Sequence, residues 1–314
     1  VLALTAVVRP ILRGVLFAIK RDIAEELGGH QQLKLKMLPR AYRPGDGDCG
    51  ICFEYAVHEA LKAGDPRVVE RIADAAKLCR LEAQTAPQSI LFGLEKSGAQ
   101  QLIDTAENIL TNDSRLLHGT RGQPVKLRKH LTGIAGAFRK PSAALALPFS
   151  ISGLWKADLF VGFSDEERWV ATTVKINPQH LEGARGLRIG IVPTKQGRSD
   201  SVRRDDDKNL IICPLRHDQD FMQIFYEGWR VVQAFIRADA QIPTEVALPS
   251  PVEREVARIL AERREYPVLD VIEAIEPFGQ PKLLETNEKQ LELQLLSGQP
   301  ATDMVVAPIS RSFR

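Results

Sequence analysis

Between Gly153 and Asn177 the chain reads GLWKADLFVGFSDEERWVATTVKIN. Two apolar runs, 157–163 and 169–176, flank the acidic turn Ser164-Asp165-Glu166-Glu167-Arg168. Runs of this length, rich in Val, Phe, Thr and Trp and separated by a short polar turn, predict a β-hairpin. The hairpin constrains more than local structure. Asp158 stands at the start of its first strand and Lys175 at the end of its second, so adjacent strands bring a carboxylate and an amine to one end of a sheet. The neighbours of Asp158 on its C-terminal side, Leu159, Phe160 and Val161, are apolar, so a charge there wants a partner or a metal.

Three more short runs, 143–151, 187–192 and 210–215, are bounded by Gly, Pro, Asn or charged residues and read as strands. A short helix is expected over 178–184 and a polar loop over 195–209. Phe221, Phe225, Trp229, Val232 and Phe235 recur at helical spacing and predict the buried face of a helix over 218–238. A charged helix is expected over 249–264 and another short element over 268–276, and the last stretch is polar and interrupted by proline. On the N-terminal side, Val7, Val8, Ile11, Leu12, Val15, Leu16 and Ile19 predict an amphipathic core helix over 11–27, with Pro10 at its start. Arg9, Arg13 and Lys20 interrupt its apolar run and argue against a membrane span. A Gly/Pro/Asp loop over 38–50 precedes a helix over 51–62, and 66–140 reads as predominantly helical. The expected divisions are therefore 1–65, N-terminal helices; 66–140, a helical accessory region; 141–240, an α/β core; and 241–314, a helical extension and tail.

The 314 residues carry a formal charge of +2, with 44% hydrophobic and 26% charged residues, the balance of an ordinary globular protein. Near-neutrality excludes a surface coated throughout with basic residues but leaves room for a local basic groove. Four cysteines are too few for a disulfide scaffold at this length, so a reducing cytoplasm is expected. The numbering starts at Val1 rather than at a methionine, which leaves room for an upstream segment.

Asp158, the hairpin and the TVK ending at Thr173-Val174-Lys175 resemble the PD-(D/E)xK nuclease superfamily, which includes many restriction endonucleases. That resemblance implies an α/β fold: a restriction-endonuclease-like mixed central sheet flanked by helices, here with a helical insertion. The family core is a helix, a three-stranded meander, a crossover helix and a further strand, matched over 51–62 and about 143–238. It also implies Mg²⁺- or Mn²⁺-dependent cleavage of DNA, with Asp158 as metal ligand and Lys175 assisting the attacking water. The family usually has a second acid two residues before the lysine, where this chain has Thr173. Glu54, on the helix preceding the core, is the expected replacement. His58 shares its helix face at i,i+4, whereas Glu59 points away. Glu182, Gln179 and the backbone carbonyl of Val174 are the alternatives. Restriction or defence against foreign DNA is the implied setting, with a homodimer or a partner subunit of a defence complex.

Two other readings are kept open. A degenerate member of the same fold would bind nucleic acid without cutting it. Asp46-Gly47-Asp48-Cys49 resembles the active-site loop of OTU-type cysteine proteases, which would make Cys49 a nucleophile in need of a histidine. Cys49 and Cys52 alone do not make a zinc site, since Cys79 and Cys213 are isolated. For nucleic-acid contact the densest basic stretch is 121–130, with Arg121, Lys126, Arg128 and Lys129; Arg40, Arg43, Arg139 and Lys140 add to it. Arg203-Arg204 precedes three aspartates, so its charge is expected to cancel locally.

Overall fold

The acidic turn does close a hairpin: β4 (Leu159–Phe163) and β5 (Arg168–Val174) pair antiparallel, from Leu159 opposite Thr172 to Phe163 opposite Arg168. The computed structural model describes residues 2–276 apart from 44–47, 82–84, 92–108, 118–123, 217–219 and the single positions 150, 152, 164, 185, 196 and 245. Gly162 faces Trp169 across the ladder, and a Cβ at Gly162 would lie 2.3 Å from the indole. The glycine thus makes room for a tryptophan that is almost wholly buried.

The hairpin is the middle of a mixed sheet with order β1-β4-β5-β6-β8-β7. The remaining members of this path are β1 (Gln88–Leu91), β6 (Leu187–Pro193), β7 (Arg203–Asp205) and β8 (Leu210–Leu215). β1 lies antiparallel to β4, whereas β6 runs parallel to β5 and β8 parallel to β6. The carboxyl ends of β5, β6 and β8 therefore lie together on one edge, and the amino end of β4 lies beside them. A short pair, β2 (Arg115–Leu116) and β3 (Val125–Lys126), adds to the start of β5.

Side chains alternate between the two faces, as a pleated strand requires. Leu159, Val161 and Phe163 join the larger apolar core with Ile189, Ile191 and Cys213, while Phe160, Trp169 and Ala171 join a smaller one. The larger core is covered by α1 (Leu2–Ala18), α4 (Asp48–Ala63), α5 (Pro66–Leu78) and α7 (Asp220–Arg237). α6 (Leu127–Arg139) covers the smaller with Leu127, Leu131 and Ile134. Between α1 and α4 lie the short α2 (Arg21–Glu26) and α3 (Leu38–Ala41); α8 (Pro251–Glu262) and α9 (Val268–Ala274) follow α7. The molecule is thus a mixed α/β protein whose central sheet has helices on both faces. Among the described residues, no helix is long and apolar enough to cross a membrane.

Several expectations are overturned. α1 does not begin at Pro10 but runs through it. Proline's missing N–H costs a helical hydrogen bond, yet Val8, Ile11 and Leu12 are fully buried on either side and tertiary packing prevails. The helix ends at Ala18, and α2 is a separate turn. α1 lies close on α4 at Gly14, where a Cβ would stand 2.9 Å from the Cys52 Cα. The loop expected over 38–50 contains α3 and the start of α4. The region 66–140 is not simply helical: it contributes β1, β2 and β3, and β1 joins the main sheet. Residues 92–108 of that region lie outside the described residues. Among the described residues of 143–151 no strand forms; 3₁₀ turns occupy Pro141–Ala146, and it is β1 that pairs with β4. The helix expected over 178–184 is a single 3₁₀ turn, Pro178–His180, and the polar loop over 195–209 contains β7. Much of the expected tail, 277–314, lies outside the described residues.

Candidate functional site

Asp158 and Lys175 are each held by one backbone bond beyond the end of a strand. The Asp158 N–H donates to the Thr172 carbonyl at 2.9 Å, extending the hairpin ladder, and the Lys175 N–H donates to the Ile191 carbonyl at 2.9 Å, extending the ladder to β6. Their side chains meet at the edge where the parallel strands end. Lys175 Nζ donates to Asp158 Oδ2 at 2.8 Å. The same oxygen accepts from Thr173 Oγ1 at 2.9 Å and from the Val174 N–H at 2.8 Å. None of the described residues donates to Asp158 Oδ1.

Glu54 comes to this point from α4. Its Oε1 is 3.6 Å from Lys175 Nζ. The two carboxylates are largely shielded from water, with Asp158 and Glu54 side chains 13% and 11% exposed, while Lys175 is 32% exposed. Burial disfavours a charge on the Lys175 ammonium, but the carboxylates of Asp158 and Glu54 outweigh it through charge and hydrogen bonding, so the amine is held above its ordinary value. Lys175 is therefore a fixed cation in the resting site and not a ready proton acceptor.

His58, one turn after Glu54, does not enter the cluster. Its Nδ1 shares a 2.9 Å hydrogen bond with Ser89 Oγ of β1, and both residues are buried. This bond ties the face of α4 that carries Glu54 to the sheet. Burial pushes the imidazole down to about 4, so it is neutral at neutral pH. Glu59 turns away as expected, with Arg13 Nη1 at 3.1 Å. Sequence reasoning missed Ser89, because nothing in the four-residue strand QSIL marks it as a partner of a helix in a different region.

The alternatives to Glu54 go elsewhere. Glu182 is 78% exposed and 3.7 Å from Lys156, and the Gln179 backbone N–H donates to Asn177 Oδ1 at 3.0 Å. Val174 contributes its N–H to Asp158; its side chain is buried in the larger core. Of the basic residues, Arg121 lies outside the described residues. Lys126, Arg128 and Lys129 are exposed, but β3 and the start of α6 stand by the beginning of β5, about 20 Å of strand from Lys175 at ~3.3 Å per residue. The structure does not bring them to the cluster. Arg204 pairs with Asp206 at 2.6 Å, the local cancellation expected there.

Cys49 sits at the start of α4, but burial and then the Asp48 charge raise its thiol to about 11, the opposite of an activated nucleophile. No described histidine is hydrogen-bonded to it; His118 and His217 lie outside the described residues, as do Asp46 and Gly47 of the resembling loop. Cys52 is fully buried and donates to the Ile11 carbonyl at 3.4 Å, a packing role.

The donor set can be tested against a divalent metal. Among the described residues no three His, Cys, Asp or Glu side chains gather in a metal-holding group. Two carboxylates, Asp158 and Glu54, flank Lys175, and hard oxygen donors in that number suit Mg²⁺ or Mn²⁺, which keep several waters and take further oxygens from a bound phosphate. The cluster has one negative charge in excess, two carboxylates against one ammonium, so it would repel a phosphodiester until a cation is added. The residues therefore fit a metal that is completed by its substrate. Compared with protein families, curated proteins and solved structures, the chain finds no match in any of the three.

Proposed function

We propose that the protein is a metal-dependent endonuclease of the restriction-endonuclease-like kind that hydrolyses DNA phosphodiesters. The observation that carries this reading is the convergence of Asp158, Lys175 and Glu54. They come from the start of one strand, the end of the next and a helix a hundred residues earlier in the chain, yet they meet within ion-pair distance. The order of elements supports it. A helix bearing the glutamate precedes β1, β4 and β5, which pair antiparallel side by side, and the parallel β6 follows; this matches the implied core except that a 3₁₀ turn, Pro178–His180, stands where the crossover helix is expected.

In this reading Asp158 Oδ1 and Glu54 would hold the Mg²⁺ or Mn²⁺. When bound, the metal lowers the pKa of a coordinated water and offsets charge on the phosphate. Asp158 keeps its orientation because Thr173, the Val174 N–H and Lys175 all hold its other oxygen. The Lys175 ammonium, one-third exposed in the cluster, would offset the charge that grows on a phosphate oxygen in the transition state. A duplex cutter needs two such sites, which a homodimer provides.

A second reading, a nucleic-acid binder on the same fold that does not cut, is favoured by one observation. Thr173 donates a hydrogen bond to Asp158 where the family's second acid would supply an oxygen. Incubation of supercoiled and linear DNA with Mg²⁺, Mn²⁺ or EDTA separates the two. The nuclease reading predicts cutting by the parent chain and by Cys49→Ala, abolished by EDTA and in Asp158→Ala and Lys175→Ala. Cutting that survives in both of those variants contradicts it. No cutting by any form, with salt-sensitive binding retained, establishes the second reading.

A further inference from the structure

The strand edge that carries Lys175 also carries a basic turn that none of the expected roles uses. β6 ends at Pro193, the Thr194 N–H donates to the Leu215 carbonyl at 2.7 Å, and the chain then turns back toward β7. The Arg198 N–H donates to the Lys195 carbonyl at 3.0 Å, closing a four-residue turn, and Gly197 has φ +75°, a left-handed conformation that glycine adopts readily. Such a turn brings its first and fourth residues together, so Lys195 and Arg198 are presented side by side. Both are exposed, and neither has a carboxylate partner among the described residues. The nearest acid in sequence, Asp200, is engaged by the Arg216 guanidinium, while its backbone carbonyl accepts from Arg71. Two cations without a carboxylate partner among the described residues thus stand one strand over from Lys175, because the Lys175 N–H pairs with Ile191 of the strand that leads into the turn.

We infer that the Lys195–Arg198 turn is the phosphate grip of this edge, holding the backbone of duplex DNA beside the Asp158–Lys175 cluster. The inference rests on the nuclease reading for its ligand, but its test does not depend on cutting. The turn's shape matters as much as its charge. Gly197 lets two long basic side chains spread from one point, so they engage successive phosphates of one strand without ordering any further backbone. The basic residues of β3 and α6, at the other end of β5, would contribute only general attraction.

The test is fluorescence anisotropy of a labelled duplex of arbitrary sequence without divalent metal, over a series of salt concentrations. It compares the parent chain with Lys195→Ala/Arg198→Ala and with Lys126→Ala/Arg128→Ala. The turn variant is expected to bind at least about tenfold more weakly, with a plot of log affinity against log salt shallower by about two. The other pair should lose less. A turn variant with the parent's affinity and slope overturns the inference, as does a loss no larger than that of the Lys126/Arg128 pair, or a parent chain with no salt-dependent binding at all. If the turn variant behaves as expected but the parent cuts no DNA with any metal, the grip stands and the nuclease reading fails.

Discussion

Two shielded carboxylates in this molecule are used in different ways. Glu253 is completely buried, and both its oxygens serve the scaffold. Oε1 accepts from Arg230 Nε at 2.6 Å, fastening α8 to α7, and Oε2 accepts from the Ser250 N–H at 3.1 Å, closing the capping box that starts α8. A negative charge in the first turn also suits the helix dipole. Architecture accounts for every contact that residue makes. Asp158 is held as firmly, but by one oxygen: three donors converge on Oδ2, and none of the described residues donates to Oδ1. Its cation, Lys175, is shared with a second carboxylate and caps no helix. Burying charge is costly, so a cluster that spends it without serving the scaffold is better explained by a ligand.

The largest effect that would separate the two is on stability. Glu253→Ala leaves Arg230 and the start of α8 without their partner and should cost about 3–5 kcal/mol, read as a fall in denaturant midpoint. The surviving folded fraction should keep its cleavage rate. Loss of cleavage from correctly folded Glu253→Ala would erase the distinction.

The helix that carries Glu54 can be loosened by acid. His58 binds a proton more readily when unfolded, near 6.5, than when folded, at about 4. Between those values the unfolded chain holds more protons, so stability rises with pH there. His58's share is fully present above about 6.5 and lost as pH falls toward about 4, up to about 3 kcal/mol in all. Denaturant midpoints across that range should slope for the parent chain and lose much of the slope in His58→Gln. An unchanged slope would mean that the acid sensitivity arises elsewhere.

A smaller change sharpens the contrast at Asp158 itself. Thr173→Val keeps the shape but removes one of the three donors to Oδ2, at a cost of about 1–2 kcal/mol. Cleavage should survive within about tenfold, because the Val174 N–H and Lys175 still orient the carboxylate. Complete loss of cleavage would assign Thr173 a more direct part in the chemistry.

How far the sequence revealed this arrangement follows from the range of its signals. The hairpin and β8 were legible because Val, Ile and Phe crowd between turn residues, and β8 spans 210–215 as expected. Asp158 and Lys175 followed from the hairpin, and Glu54 from the helix before it. β1 was hidden because four residues, one of them isoleucine, carry little pattern, and its partner strand lies some seventy residues later. The stretch 143–151 misled in the opposite direction. It is apolar, but its alanines and leucines lack β-branching, and Leu145 ends 91% exposed in a 3₁₀ turn. Pro10 looked like a helix start because local rules place it there, and only the burial of α1 shows why the helix continues. The grip of Thr173 and the Val174 N–H on Asp158 depends on the register of two strands to within one residue, which no sequence spacing fixes.

The most direct measurement is the metal-dependent cleavage rate of Asp158→Asn, taken beside its unfolding midpoint. Asparagine keeps the size of the side chain and an oxygen for the Val174 N–H, but loses the charge that a metal needs. The account predicts a rate lower by at least about 10²-fold with a midpoint within about 2 kcal/mol of the parent. A folded Asp158→Asn that cuts DNA at the parent's rate would show that this carboxylate, like Glu253, belongs to the scaffold.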